Sequence, residues 1–198
     1  MRRTRPARIA LLASLAVIAA GVAFAGIKVQ VDHDPGFDFS TLHTWSWHPG
    51  GPGNARKIIT QDDDSAAFKK QIEPRLLPMV EAELVKRGFP AAQNDPDFYV
   101  TYYVLVTVGD TEQYLGQFAN LPKWGLPPIA QQTQSLKVYP KGALILDITS
   151  RATNEVVWRG VANAELKWEE EQSKRDQRVR EAIEQLLKRF PPKPAKKS

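Results

Sequence analysis

The 198-residue sequence contains no cysteine. The chain therefore forms no disulfide, offers no thiolate to a metal ion and has no thiol nucleophile. It also has no cysteine behind its N-terminal leader to which a lipid could be attached, so lipid anchoring is not expected. A stable domain must then depend on burial of one apolar core, which a chain of this length is able to provide.

Patterns that carry enzyme chemistry are also missing. There is no Gly-x-Ser-x-Gly elbow and no Ser-x-x-Lys motif, and Gly50-Gly51-Pro52-Gly53 lacks the Lys and Ser or Thr of a phosphate-binding loop. Acidic residues are plentiful, yet no spacing selects a pair for glycoside hydrolysis. We therefore expect a protein that is not an enzyme and has no cofactor. A hydrolase that uses unpaired carboxylates is a further hypothesis, ranked behind the two non-enzymatic hypotheses given below.

Two groups of residues could in principle hold a metal ion. Asp62-Asp63-Asp64 lacks the alternating carboxylates of a calcium loop, so these residues are interpreted as the start of a helix. His33, His43 and His48 fall near two neighbouring strands, but no third ligand is fixed as a zinc site requires. We expect no metal site.

The first 25 residues have the composition of a secretory signal peptide. Arg2, Arg3, Arg5 and Arg8 precede an almost wholly apolar run over 9–24, which ends in Ala23-Phe24-Ala25. The run is shorter than the roughly 20 residues of a membrane span. We expect cleavage after Ala25, a periplasmic or secreted protein, and no transmembrane span in the mature chain, and an uncleaved anchor is the alternative.

The positive charge of the chain lies at its ends. Four of the 27 basic residues and none of the 22 acidic ones are in the leader, so the net charge falls from +5 to +1 on its removal. Without Lys193, Lys196 and Lys197 the remaining body carries −2. A body of this charge does not predict a nucleic acid partner.

Alternation of apolar and polar residues predicts strands at 27–32, 41–48, 97–108, 142–149 and 155–166. The strand at 97–108 is apolar or aromatic on both faces, which favours a central position. The last two strands are predicted to form an antiparallel hairpin. A loop is predicted at 49–54, and a short strand at 136–139 within a long, poorly patterned segment over 109–139.

Helical spacing of apolar residues predicts two helices. Because Pro74 and Pro78 interrupt the first, we expect a short initial piece and then a helix over 73–87, closed by Gly88 and Phe89. The second covers 169–189, and its highly charged first half is predicted to project into solvent. The fold class is therefore α+β, a two-layer sandwich with two helices on one face of a mainly antiparallel sheet of four to six strands. A single domain over 26–190 is followed by a disordered Pro/Lys tail over 191–198.

Short motifs stand in a characteristic order along nearly the whole mature chain. They are Asp32-His33-Asp34, Phe37-Asp38-Phe39, Thr44-Trp45-Ser46-Trp47, Arg87-Gly88-Phe89, Asp95-Pro96-Asp97-Phe98-Tyr99-Val100, Gly142-Ala143-Leu144-Ile145-Leu146-Asp147, Val157-Trp158-Arg159-Gly160 and Phe190-Pro191. Together they resemble the bacterial envelope proteins of the domain of unknown function 4136 (DUF4136), many of which have the sequence pattern of lipoproteins. The resemblance implies an exported α+β domain with no assigned activity. The missing cysteine departs from the lipoprotein pattern.

The five tryptophans suggest where a ligand could bind. Trp45, Trp47 and Trp158 lie on predicted strands and are expected to pack in the core. Alternation along the last strand places Val156 and Trp158 on one face and Val157 and Arg159 on the other. Trp124 lies in a Pro- and Gly-rich loop and is the candidate binding residue. We expect an interaction or accessory domain of the cell envelope, whose partner is unidentified and could be another envelope protein. The alternative is a periplasmic binding protein for a small apolar or lipid-like ligand held between the sheet and the 109–139 segment.

Overall fold

The computed structural model describes residues 26–58, 64–107, 112–113, 136–137, 141–165 and 170–193. The leader, Trp124, Trp168 and the last five residues lie outside these ranges, as do Asp62 and Asp63. What the sequence predicts for them stays a prediction.

The described residues form eight strands. They are β1 (Ile27–His33), β2 (Trp45–Trp47), β3 (Gly53–Ile58), β4 (Phe98–Thr107), β5 (Glu112–Gln113), β6 (Leu136–Lys137), β7 (Lys141–Ser150) and β8 (Glu155–Glu165). The main sheet has the order β1-β8-β7-β4, and these neighbours are antiparallel. β2 and β3 pair in parallel with successive parts of β4, and β5 pairs with β6 in a separate sheet. The predicted α+β class is confirmed, with a mixed sheet of six strands.

Two helices of the described residues pack on one face of the main sheet: α1 (Ser65–Lys86) and α2 (Gln172–Leu187). Residues at every second position of the central strands face them, because side chains alternate across a strand. Val100, Tyr102, Leu146 and Ile148 are all fully buried in this layer. Within the described ranges, no helix combines the length and the hydropathy that a membrane span requires.

The predicted hairpin of β7 and β8 is confirmed, with a register break. Ile148 pairs with Trp158 and Thr149 pairs with Val156, so Val157 is the extra residue of a β-bulge. The bulge places Val157 in the apolar core and leaves Val156 half-buried. Simple alternation predicts Val156 on the face of Trp158 and Val157 on the face of Arg159. That prediction is wrong because a bulge shifts the alternation by one residue.

The edge of the sheet beside β4 differs from the prediction. Of the extended run predicted at 41–48, only Trp45–Trp47 form a strand, and Thr41 belongs to a short 3-10 helix over Phe39–Thr41. The carboxylate of Asp97 holds the entry to β2: it accepts hydrogen bonds from the backbone N–H groups of His43 and Thr44, at 2.9 and 2.8 Å. The backbone hydrogen bond from Thr44 is the main cause that lowers the pKa of Asp97.

Part of the predicted loop at 49–54 belongs to a strand, β3. Its sequence, Gly-Asn-Ala-Arg-Lys-Ile, lacks the β-branched alternation that marks most strands. Parallel pairing with β4 supplies the hydrogen bonds, and Ala55 is fully buried against the helices. Tertiary contact therefore overrides a weak local preference.

Helix α1 is continuous through both of its prolines, so the predicted division into two pieces is wrong. Pro74 and Pro78 are exposed and lie four residues apart, on the side of the helix away from the sheet. The apolar stripe runs past them through Leu76 and Val80, which are both buried. Packing of this stripe against the sheet keeps the segment helical despite the missing N–H groups.

The two ends of α1 are formed as the sequence predicts. Asp64 is the N-cap, and its carboxylate accepts hydrogen bonds from the backbone N–H groups of Ala66 and Ala67 at 2.9 and 3.0 Å. At the other end Gly88 has a φ of +90°. The N–H of Gly88 donates to Val85 O and that of Phe89 donates to Leu84 O, which are the two hydrogen bonds of a Schellman motif.

One edge of the main sheet is β1. The N–H of Asp34 donates to Val157 O on β8, so the backbone groups of the odd-numbered residues of β1 point away from the sheet. One of these groups, the carbonyl of Val29, accepts a hydrogen bond of 3.0 Å from the Arg189 side chain, just beyond α2. The edge strand is thereby tied to the helix layer.

Candidate functional site

Small residues line one end of the sheet face that is turned toward the helices. Gly142 on β7 pairs with Ala164 on β8, and Leu144 pairs with Ala162 two residues along. Three of these four positions carry no side chain beyond a methyl group. The sheet therefore leaves space beneath the helices at this end.

The N-terminal and central turns of α1 and α2 lie over these small residues and border an open-sided cavity of about 500 Å³. Most of its wall is apolar. The apolar side chains contributed by the helices are Phe68, Ile72, Leu76, Met79, Val179 and Ala182. Val104 and Val106 on β4 complete the floor beside the alanines of β8. An apolar cavity of this size is typical of a site for a small molecule.

The rim of the cavity on the side of α2 is charged and internally hydrogen-bonded. The Arg178 guanidinium contacts the Glu170 carboxylate at 2.9 Å, and Arg175 donates to the side-chain oxygen of Gln172 at 2.8 Å. Gln172 in turn donates to Asp176 at 2.6 Å. The charged first half of this helix was predicted to project into solvent. That is wrong for the residues that line the cavity, whereas Lys174 and Gln177 in the same half are exposed.

The rim on the side of α1 and β3 is formed by Gln71, Arg75 and Lys57. Gln71 and Arg75 are exposed, and they lie on successive turns of α1. Glu73 lies between these two residues in the sequence, and its carboxylate accepts a hydrogen bond of 2.8 Å from the Tyr102 hydroxyl. Burial of the ring, followed by this hydrogen bond, raises the pKa of Tyr102.

A second group of polar residues lies on the opposite face of the sheet. Arg159 on β8 and Asp147 on β7 are directly opposite each other and form two hydrogen bonds of 2.6 Å. Both are buried, with 6% and 2% of the residue surface exposed. Burial alone would lower the pKa of Arg159, but the charge and hydrogen bonds of Asp147, together with Tyr103 and Asp32, outweigh burial and the pKa is raised. Burial, and then Asp147, raises the pKa of the nearby Tyr103 to about 12.

This ion pair does not resemble a catalytic acid or base. Both carboxylate oxygens of Asp147 are hydrogen-bonded to one guanidinium, so the carboxylate is neutralised by a fixed partner. A buried pair of this kind orders the strands that carry it, because either charge alone would be costly in the interior. It therefore gives no support to the hydrolase hypothesis.

Of the three tryptophans that were predicted to pack in the core, the structure buries two fully and one in part. Trp45 and Trp158 are buried, and Trp47 is half-buried with its indole N–H donating to Glu81 at 2.9 Å. Trp158 faces the helices while Arg159 faces the other side, as strand alternation predicts. Trp124, the candidate binding residue, lies outside the described residues and stays a prediction.

No site for a metal ion is found in the part of the chain that the structure describes. His33 contacts the ring of Phe39, with centroids 5.8 Å apart, and the ring of His48 accepts a hydrogen bond from the Gly50 N–H. These contacts give both imidazoles a local structural partner.

Sequence reasoning missed the cavity. The available signal was the set of small residues at inward positions of β7 and β8, at 142, 162 and 164. In the sequence these positions read as ordinary strand residues, because only the structure shows that the N-terminal and central turns of both helices lie over them. The binding region predicted between the sheet and the 109–139 segment stays a prediction, because most of that segment lies outside the described residues.

Residues 29–192 match the family model described as "Domain of unknown function (DUF4136)", and the chain belongs to this family. No curated protein matches the sequence.

Among solved structures, the chain is similar to a DUF4136 family protein from Bacteroides thetaiotaomicron, with 13% identity, a TM-score of 0.42 and coverage of 84% of this chain and 96% of that one. It is also similar to a PDZ domain protein from Parabacteroides distasonis, with 16% identity, a TM-score of 0.47 and coverage of 85% of this chain. The chain spans only 36% of the length of that protein. The PelC dodecamer from Paraburkholderia phytofirmans gives 9% identity, a TM-score of 0.41 and coverage of 81% and 96%. Likeness at these scores carries no inference about function.

Proposed function

We propose that the protein is an exported, non-enzymatic binding protein that holds a small apolar or lipid-like ligand in the cavity between the sheet and the N-terminal and central turns of α1 and α2. The observation that carries the proposal is the cavity itself, with its volume of about 500 Å³ and its largely apolar wall. Ligand pockets commonly have volumes of about 300–1,000 Å³, mostly apolar walls and a few polar groups at defined positions.

The alternative, an interaction domain that binds a protein partner, receives less support from the surface. Such a domain usually exposes a contiguous apolar patch. Among the described residues the large apolar side chains classed as exposed are Val85 and Val179, at 57% and 36%. Val179 lines the cavity, whereas Val85 lies near the opposite end of α1, so the two do not form one patch.

The non-enzymatic and exported parts of the proposal rest on the sequence. The chain lacks the nucleophile and phosphate-binding motifs named above, and its N-terminal 25 residues have the arrangement of a signal peptide. Sequencing of the mature N-terminus tests export with cleavage, which predicts Gly26 as the first residue. A chain that still begins at Met1 contradicts it.

Native mass spectrometry of the protein purified from its own cell envelope tests ligand binding. The expected result is a second species heavier by the mass of one small amphiphile, which is released on mild activation of the ion. A protein that carries no small molecule and is recovered only in a defined complex with another protein would instead favour the interaction domain.

A further inference from the structure

We infer that the ligand of this cavity is a single-chain amphiphile with an anionic head group, and that Arg75 binds the head group at the rim. The inference rests on the proposed function, since it assumes that the cavity binds a ligand. It adds the chemical class of that ligand and the residue that selects it.

The first argument is the balance of charge around the cavity. Among the described residues that line it, four are cationic and two are acidic. The cationic residues are Lys57, Arg75, Arg175 and Arg178, and the acidic ones are Glu170 and Asp176. A cavity with apolar walls and a rim where cationic side chains outnumber acidic ones among the described residues complements a molecule that has an apolar chain and a negative end.

The second argument concerns the two carboxylates of the rim, which are held by residues of their own segment. Glu170 contacts Arg178 at 2.9 Å, and Asp176 accepts a hydrogen bond of 2.6 Å from Gln172. Both contacts run along the start of α2. These acidic side chains are therefore oriented by α2, on the side of the rim opposite α1.

The third argument is the position of Arg75 on α1. Side chains three and four residues apart are neighbours on a helix, and these positions around Arg75 hold Gln71, Ile72, Pro78 and Met79, none of which is acidic. Glu73 is bound by the Tyr102 hydroxyl and lies 3.6 Å from Lys69. Among the described residues Arg75 has no ion pair.

The chemistry of the guanidinium completes the assignment. Ile72 and Met79, its neighbours along the same helix, line the apolar wall, so an acyl chain inside the cavity would bring its head group close to Arg75. Arginine presents parallel N–H donors that match the two oxygens of a carboxylate or the oxygens of a phosphate. We take a fatty acid as the simplest ligand of this class.

The experiment compares lauric acid with its methyl ester, which has the same chain and no charge, by displacement of Nile red from the mature protein. Arg75→Gln removes the guanidinium, and Arg75→Lys retains the charge. The matched control is Lys70→Gln, because Lys70 is an exposed cation on the same helix that does not line the cavity. Thermal unfolding of each variant verifies that it is folded.

We expect the unaltered protein to bind laurate about 10-fold more tightly than the ester, because a hydrogen bond to a charged group contributes about that factor. Arg75→Gln should abolish most of this preference while leaving binding of the ester unchanged. Arg75→Lys should retain part of it, and Lys70→Gln all of it.

Each contrary result has a distinct meaning. If the unaltered protein binds laurate and the ester equally, the cavity binds apolar chains but the inference about the anionic head group is wrong. If the preference persists in Arg75→Gln, the assignment to Arg75 is wrong. If neither compound displaces Nile red, or if Nile red itself does not bind, the proposed function fails and the inference fails with it.

Discussion

The two ends of the layer between sheet and helices differ in how they are filled. At the end where both helices finish, Phe190 lies at the centre of an aromatic cluster, with ring centroids 5.2 Å from Phe89, 5.5 Å from Phe98 and 5.5 Å from Trp158. At the end where both helices begin, the sheet presents Gly142, Ala162 and Ala164, and a cavity remains. The same two helices and the same strands form both ends.

The difference shows that side-chain size along the inward face of the sheet, rather than the arrangement of backbone elements, determines where the layer between the sheet and the helices is filled. Trp158 and Ala162 lie on one strand and face the same layer, four residues apart. Cores are normally filled to the density of organic crystals, so an unfilled volume at one end is a departure that stability alone does not favour. We therefore interpret the filled end as the stabilising part of the domain and the hollow end as the functional part.

The largest expected effect comes from truncating one phenylalanine at each end. Phe190→Ala removes the centre of the aromatic cluster and should lower the free energy of unfolding by about 3–5 kcal/mol. Phe68→Ala, at the wall of the cavity, should cost about 1 kcal/mol or less, because this side chain is only partly buried and already borders unfilled space. Urea unfolding followed by tryptophan fluorescence measures both. Equal losses would contradict the distinction between a filled and a hollow end.

A second test adds atoms to the filled end. A Cβ at Gly160 would lie 2.5 Å from the Trp158 ring and 2.8 Å from the Leu186 side chain. Gly160→Ala should therefore destabilise the protein by about 1–3 kcal/mol through overpacking. Gly36→Ala is the control, because its Cβ would meet only the Asp34 side chain, at 3.4 Å. An unchanged unfolding midpoint for Gly160→Ala would show that this end has spare volume.

The corresponding addition at the hollow end should behave differently. Ala164→Leu places a larger apolar side chain in the cavity and should change the free energy of unfolding by less than about 1 kcal/mol, since free volume receives it without overpacking. Binding of Nile red and of laurate should be strongly reduced. Ala82→Leu makes the same change at an exposed position of α1 away from the cavity and should leave binding intact. Full binding by Ala164→Leu would locate the ligand elsewhere.

The smallest expected effect is the pH dependence contributed by Asp97, next to the aromatic cluster. Its folded-state pKa is lowered from the usual 3.8, so the ionised carboxylate stabilises the fold above that value and the contribution is lost as the pH falls through the lowered pKa. Asp97→Asn should therefore be less stable than the unaltered protein at neutral pH, by less than about 1 kcal/mol for a partly exposed group. The difference should shrink below pH 3.8. A difference that is the same at neutral and acidic pH would mean that the charge contributes nothing.

The filled end could be predicted from the sequence because its signals are local. Alternation identified β4, β7 and β8, and Gly88 with Phe89 identified the end of α1. Both are properties of a few consecutive residues. Trp158 could likewise be assigned to the core and Arg159 to the opposite face from strand period alone.

The features that could not be predicted from the sequence depend on contacts between segments that are distant along the chain. β3 exists because it pairs with β4, whose partner residues are about 50 positions further along the chain. The passage of α1 through Pro74 and Pro78 depends on packing against the sheet, and local sequence there favours a break. The cavity requires α1 and α2 to lie over small residues of β7 and β8, which no single stretch of sequence indicates.

The contact between Arg189 and Val29 O affects how readily β1 can pair with a strand of another chain. An edge strand exposes unpaired backbone groups that can template pairing with a strand of another chain, and this is a common route to aggregation. The guanidinium occupies one outward carbonyl of β1. An incoming strand would have to displace it, and its positive charge would approach the partner's backbone N–H groups. Pairing of another strand along β1 would thus have to break this hydrogen bond before it could use the Val29 carbonyl.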